Sequence, residues 1–157
     1  MKIEVLFDLR DYQIKYKDKI RFPDEGIPLS EIEALEQHWN NGHPFPKALR
    51  DLLFLAGESC NFLDYNFYDS QHEMQLECRE EMEEGGYLFN RPFYIIEHNG
   101  GGFFLLVFLD EDQVNPMVYQ FNWSKQNGLP FARPIDSSLK KFLNIEMERE
   151  IQRRIRF

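Results

Sequence analysis

Apolar side chains change their spacing along this chain, and each change marks an element. In Lys2–Asp8 and Tyr12–Phe22 they alternate, with Ile3, Val5 and Phe7 in the first stretch and Tyr12, Ile14 and Tyr16 in the second. Alternation is the pattern of half-buried strands, and Arg10-Asp11 lies between the two stretches, so residues 1–29 read as an N-terminal hairpin followed by a connector. From residue 30 the spacing becomes helical. Ile32, Leu35 and Trp39 share one face, Ser30 and Glu33 form a capping box ahead of them, and Asn40-Asn41-Gly42 ends the helix. Pro46 opens a second helix whose buried stripe is Leu49, Leu52, Leu53 and Ala56, closed by Gly57. A second capping box, Ser70 with Glu73, starts a third helix on which Met74, Cys78 and Met82 repeat every fourth residue before Gly85-Gly86.

The rest of the chain returns to strand patterns. Pro92–His98, Phe103–Leu109 and Met117–Trp123 read as consecutive antiparallel strands. Phe103–Leu109 is apolar on both faces and belongs in the middle of a sheet. Met117, Tyr119, Phe121 and Trp123 alternate with Val118, Gln120 and Asn122, as an outer strand with one wet face would. Asp136 can cap a last helix over 137–157, with Leu139, Phe142, Leu143, Ile151 and Ile155 as its apolar positions. The class is α+β: an antiparallel-rich mixed sheet flanked by helices, in a single domain spanning 1–157.

Composition narrows the partners. A chain of 157 residues with 15 Phe, 7 Tyr and 2 Trp can build a full core despite a mean hydropathy of -0.54. The start of the chain lacks the long apolar stretch of a secretory signal, and the longest apolar run is too short to span a bilayer. With only Cys60 and Cys78, reduced thiols in a cytoplasmic setting are the simpler expectation. The net charge is -9, and it is unevenly spread. Residues 58–84 carry nine acids against one base, Arg79, whereas residues 137–157 carry six bases against three acids. Such a surface repels phosphate backbones, so no nucleic-acid partner is expected. It attracts a basic protein, or else it serves only solubility. No membrane partner is expected either, for want of a spanning run.

Candidate chemistry is sparse. Asn99-Gly100-Gly101-Gly102 lacks the Lys-Ser/Thr pair and following helix of a phosphate loop, and reads as a hairpin turn. Asp110-Glu111-Asp112 departs from a calcium loop at Val114, Asn115 and Phe121, which leaves an exposed acidic turn. His38, His43, His72, His98 and the two cysteines show no metal-ligand spacing. Cys60 with His98 is the sole pairing worth weighing for nucleophilic catalysis, and no catalytic residue, metal or cofactor is expected. The acidic helix is the better binding candidate, because Glu73, Glu77, Glu80 and Glu84 share a face opposite Met74, Cys78 and Met82. Like charges at that spacing disfavour an isolated helix, a cost that a cationic partner would offset. Tyr65, Phe67 and Tyr68, just before the helix, either anchor an interface or fold back on the core. The expected partner-binding set is therefore Glu58, Asp64, Tyr65, Tyr68, Asp69, Glu73, Glu77, Glu80 and Glu84.

Glu33 in the first helix, the proline step at Pro44 and Pro46, Leu52-Leu53, Gly57, the Gly100–Gly102 turn and Val118-Tyr119 together resemble the SUKH superfamily. The likeness spans about residues 30–123, with Phe45-Pro46 in place of the common Leu-Pro step and Gly57-Glu58 in place of the usual Gly-Gly. It implies a non-enzymatic helix-flanked sheet. Bacterial relatives are immunity proteins that bind and neutralise polymorphic toxins, often nucleases, and fungal ones are cell-wall assembly regulators. By this resemblance the chain is an antitoxin that occludes a basic cognate toxin domain stoichiometrically. The alternatives are a regulatory interaction scaffold of the fungal type, or a small Cys/His enzyme using Cys60.

Overall fold

The computed structural model describes residues 1–87, 89–100, 103–126 and 129–155, with 124–126, 129–131 and 154–155 described by backbone alone. Its elements in chain order are α1 (Phe7–Lys15), α2 (Leu29–Trp39), α3 (Lys47–Ala56), α4 (Gln71–Glu84), β1 (Phe93–His98), β2 (Phe104–Phe108), β3 (Met117–Gln126), β4 (Leu129–Ser138) and α5 (Leu139–Ile155). The four strands form one sheet in the order β1-β2-β3-β4, every neighbouring pair antiparallel. The fold is α+β, and the described sheet has no parallel pair.

Alternation along the strands sends side chains into two cores. Tyr94, Ile96, Val107, Leu109 and Val118 meet the apolar stripes of α1, α2, α3 and α5 on one face. Phe93, Ile95, Phe104, Leu106, Phe108 and Phe121 meet Met74, Cys78 and Met82 of α4 on the other. The four-residue repeat read from the sequence is thus a buried stripe, and α4 stands on its own side of the sheet.

The N-terminal hairpin does not form. Residues 7–15 are helical because the preceding backbone is already claimed: the buried Asp51 carboxylate of α3 accepts from the Glu4, Val5 and Leu6 N–H groups at 3.1, 2.7 and 3.0 Å. A strand there would need those donors for a ladder. The alternation was also misleading, since Ile3, Val5 and Tyr12 are buried whereas Phe7 and Ile14 face solvent. Leu9 and Tyr12, three apart, are the residues α1 buries.

Other boundaries moved for identifiable reasons. The Ser30–Glu33 box is absent; α2 starts at Leu29, and Pro28 in extended geometry is its N-cap. At α4 half the box holds. Ser70 Oγ accepts the Glu73 N–H, but the Glu73 carboxylate takes the N–H of Asp69 instead. Strand β3 is interior, because β4 covers it. That ten-residue strand contains Pro130 and Pro134, which remove ladder donors and suit only an edge. Asp136 sits inside β4 with φ of 59°, and the Ser138 hydroxyl caps α5 by accepting from Lys141. In the β1–β2 connection Asn99 bridges both ways to Phe103, while Gly101 and Gly102 lie outside the described residues.

Replacing Asp51 with Ala leaves three N–H groups without their acceptor. The substitution should lower unfolding free energy by about 3 kcal/mol or more, read from urea denaturation. A loss under about 1 kcal/mol would show that water or relaxed backbone satisfies those donors, and that Asp51 does not hold the N-terminal segment.

Candidate interaction surface

Helix α4 is fastened to the outer edge of β1 by side chains that act as a missing strand. Gln75 donates to the Ile95 carbonyl at 2.7 Å and accepts the Ile95 N–H at 2.9 Å. Gln71 accepts the Tyr94 hydroxyl at 2.7 Å and donates to the Gly57 carbonyl at 2.9 Å. Arg79 donates to the Phe93 carbonyl, and the His98 N–H reaches the Asp64 carbonyl at 2.9 Å. An open edge is a template for unwanted pairing, and here it is covered.

Arg79 is the one base in the acidic run, and it does not neutralise the helix surface. Its guanidinium lies between the rings of Trp39 and Phe93, 4.3 and 4.0 Å from their centroids. Burial lowers its pKa to about 10, and it remains charged at neutral pH. The cation is turned inward, so the outer face is uniformly anionic. Glu77, Glu80, Glu81, Glu83 and Glu84 are exposed and make no ion pair with a base among the described residues.

The other expected binding residues divide. Glu58, Asp64 and Asp69 are exposed beside this helix. Glu73 is half-buried and spent on the Asp69 N–H. Tyr65 is turned into the core, its hydroxyl donating to the Ala56 carbonyl at 2.9 Å. Tyr68 is half-buried, its hydroxyl 2.8 Å from His98 Nδ1 and its ring stacked on the imidazole. Both hydroxyls are thus engaged within the chain, and both rings are only partly exposed. The aromatic between them behaves oppositely. Phe67 is 98% exposed. It follows Asn66, which adopts φ of 56°, and the turn is tied by Asp64 Oδ1 accepting the Asn66 N–H and Asn66 Oδ1 accepting that of Phe67. Asn tolerates that left-handed geometry better than other non-glycine residues, which suits Asn66 to this turn.

The cysteines are not poised for chemistry. Burial, with the Asp24 charge adding, pushes the Cys60 thiol up to about 12, and burial does the same for Cys78. A nucleophilic thiol needs the reverse shift. His98 engages Tyr68 through Nδ1 and packs on Phe104. Among the described residues no group of three or more His, Cys, Asp or Glu could hold a metal ion, and no helix is long and apolar enough to cross a membrane. Asp110 of the acidic turn pairs with Arg91, and Asp112 accepts from Val114 and Asn115, so that turn is occupied by its own hydrogen bonds. The hollow beside the candidate surface, between Glu58, Tyr65, Tyr68 and Gln71, is about 10 Å³, room for one water and no more. The arrangement can offer an anionic helix surface, with Leu76 on the helix and Phe67 before it as exposed apolar side chains. Searched against family models, curated proteins and solved structures, the chain matches none.

Two outcomes test this description. Both thiols should resist alkylation at pH 8 in the folded protein and react on unfolding; fast modification of Cys60 would revive the nucleophile. Glu97, whose carboxylate accepts the Asp64 N–H at 2.8 Å, has a pKa raised by burial, partly offset by that N–H, with the Asp64 and Glu146 charges adding to the rise. A raised carboxyl holds its proton more tightly when folded, so its stabilising contribution is full below the unfolded value and is lost as pH rises through the folded one. Glu97→Gln should therefore be more stable than the parent at pH 7, with the difference closing toward pH 4. An equal difference at both pH values would show that packing, not charge, separates them.

Proposed function

We propose that this chain is a non-catalytic immunity protein of the SUKH type, which binds a basic cognate toxin domain in the cytoplasm and blocks it by occupying its active cleft. The observation that carries the reading is the outer face of α4. Five glutamates stand there without counter-charge, on a helix clamped to a sheet edge, and the segment leading into that helix carries an almost fully exposed phenylalanine. Like charges at three- and four-residue spacing weaken a helix on its own, and the Gln71, Gln75 and Arg79 contacts offset that cost. A toxin that cuts nucleic acid needs cations to hold phosphate, and a rigid anionic surface competes for the same cations.

The two components of the surface have different jobs in this mechanism. The glutamates speed encounter and select a cationic partner, an effect that salt screens. Phe67 supplies the desolvated anchor on which tight binding depends, since aromatic side chains dominate the energetics of interfaces. Because Phe67 is held by its own turn, little ordering is needed on binding. No step of bond making is involved, and the thiol pKa values fit that picture.

The test is co-expression with a toxin domain encoded beside this gene, scored by survival and by co-purification, followed by calorimetry on the complex. Phe67→Ala should weaken binding by about 2 kcal/mol, roughly thirtyfold. Reversing Glu77 and Glu80 to Lys should slow association and remove most of its salt dependence. Rescue with unchanged affinity in both variants would place the interface elsewhere. Absence of any rescue or complex would favour the regulatory scaffold.

A further inference from the structure

The fold brings the two base-rich ends of the chain together, which no local pattern reveals. Residues 1–22 hold six bases against four acids and residues 137–155 five against three, while residues 23–136 hold six against twenty. Helices α1 and α5 lie side by side: Asn144 Nδ2 donates to Asp8 Oδ2 at 3.0 Å, and a groove of about 370 Å³ runs between them past Lys15, Tyr16, Met147 and Ile151. The molecule is therefore bipolar, with α4 at the anionic pole and the α1–α5 side the least acidic.

That side also exposes apolar residues. Phe7, Arg10 and Ile14 fall on the stripe of α1 opposite the buried Leu9 and Tyr12. Phe7 is 41% exposed, Ile14 69%, and Phe22, in the segment after the helix, 72%. Each aromatic has a cation at its ring: Arg10 over Phe7 at 5.3 Å, Lys15 over Tyr16 at 5.4 Å, Arg21 over Phe22 at 5.4 Å. A second hollow, about 320 Å³, lies under Ile14 beside Lys17, Ile20 and Pro23. Acids are present too: Asp11 pairs with Arg10, Asp8 and Glu148 line the α1–α5 groove, and Asp18 follows Lys17.

We propose that the outer face of α1 and the 16–22 segment is a contact site for an anionic lipid surface, on which the protein sits reversibly with its acidic pole turned to solvent. Large apolar side chains separated by lysines and arginines are what an interfacial element needs: the apolar groups enter the headgroup boundary while the cations pair with lipid phosphates. The exposed residues are scattered rather than gathered into one patch. A bilayer accepts such scatter because it needs no complementary pocket, whereas a protein interface concentrates its anchors. A nucleic acid would reward the cations but gain nothing from Ile14. The contact spans nothing, and so it stands beside the expectation of no membrane partner, which rested on the lack of a spanning segment. It is independent of whatever binds α4.

Sedimentation of the full chain with phosphatidylcholine vesicles, with and without about a third of phosphatidylglycerol, tests the proposal. Association should require the anionic lipid, fall steeply as salt is raised, and weaken about tenfold in both Ile14→Glu/Phe22→Glu and Lys17→Glu/Lys19→Glu. These side chains are exposed, and circular dichroism checks that each variant keeps its fold. No association, association equal on neutral vesicles, or binding that survives either pair of changes overturns the proposal. Binding to a single-stranded oligonucleotide in place of vesicles overturns it as well, in favour of phosphate recognition alone.

Discussion

Everything that gives this molecule a surface worth binding depends on the seam between α4 and β1. A fourteen-residue helix with six acids has little reason to be helical alone. Its apolar stripe, Met74, Cys78 and Met82, supplies the driving force, and the two buried glutamines supply the register. Gln75 is the decisive one, because a side-chain amide has the same donor and acceptor pair as a peptide and can dock where a neighbouring strand would. The edge of β1 is closed without another strand, and α4 is held at one height along it. Its outward glutamates then point in one direction as a consequence of inward hydrogen bonds.

Buried carboxylates organise the opposite core in the same manner. Asp51 gathers three successive N–H groups of the N-terminal segment, and Glu36 joins the Phe45 N–H to the Arg50 guanidinium. Hydrogen bonds to a charged acceptor contribute about 1.5–3 kcal/mol each, roughly twice the ordinary value. The two acids occupy α2 and α3, so the proline step between those helices and the start of α1 are fixed from one small region. Acidity in this chain thus has two physical uses: inside, it ties irregular backbone; outside, on α4, it remains unspent.

Much of the fold was legible where side-chain periodicity and buried stripe coincide. The stripes of α2, α3 and α4, and the two-sided apolar run of β2, follow from spacing alone. The misses share one cause, which is that a long-range partner overrode a local pattern. Ile3, Val5 and Phe7 alternate as a strand does, yet Asp51, some 45 positions later, takes the backbone donors a strand would use. Strand β4 was hidden by its prolines and becomes intelligible only as the partner of β3. At the candidate surface, charge spacing picked out Glu77, Glu80 and Glu84, which are exposed, but also Glu73, which is half-buried and accepts the Asp69 N–H. It could not tell Tyr65 and Tyr68, whose hydroxyls turn inward to Ala56 and His98, from Phe67, which stands in solvent. Arg79 was likewise opaque: its sequence position implies partial neutralisation of the helix, and its contacts remove it from the surface.

A surface made rigid by a side-chain seam leaves a mark that can be read without any partner. The Ile95 amide points out from the sheet edge toward Gln75 and is the donor on which the seam turns. Residue-resolved hydrogen exchange under native conditions measures the free energy of opening at that amide. If Gln75 completes the edge, Ile95 exchanges only through global unfolding, with a protection free energy equal to that of denaturation. If it exchanges as freely as an uncovered edge amide while β2 stays protected, α4 is loosely docked, and the account of a fixed anionic face fails.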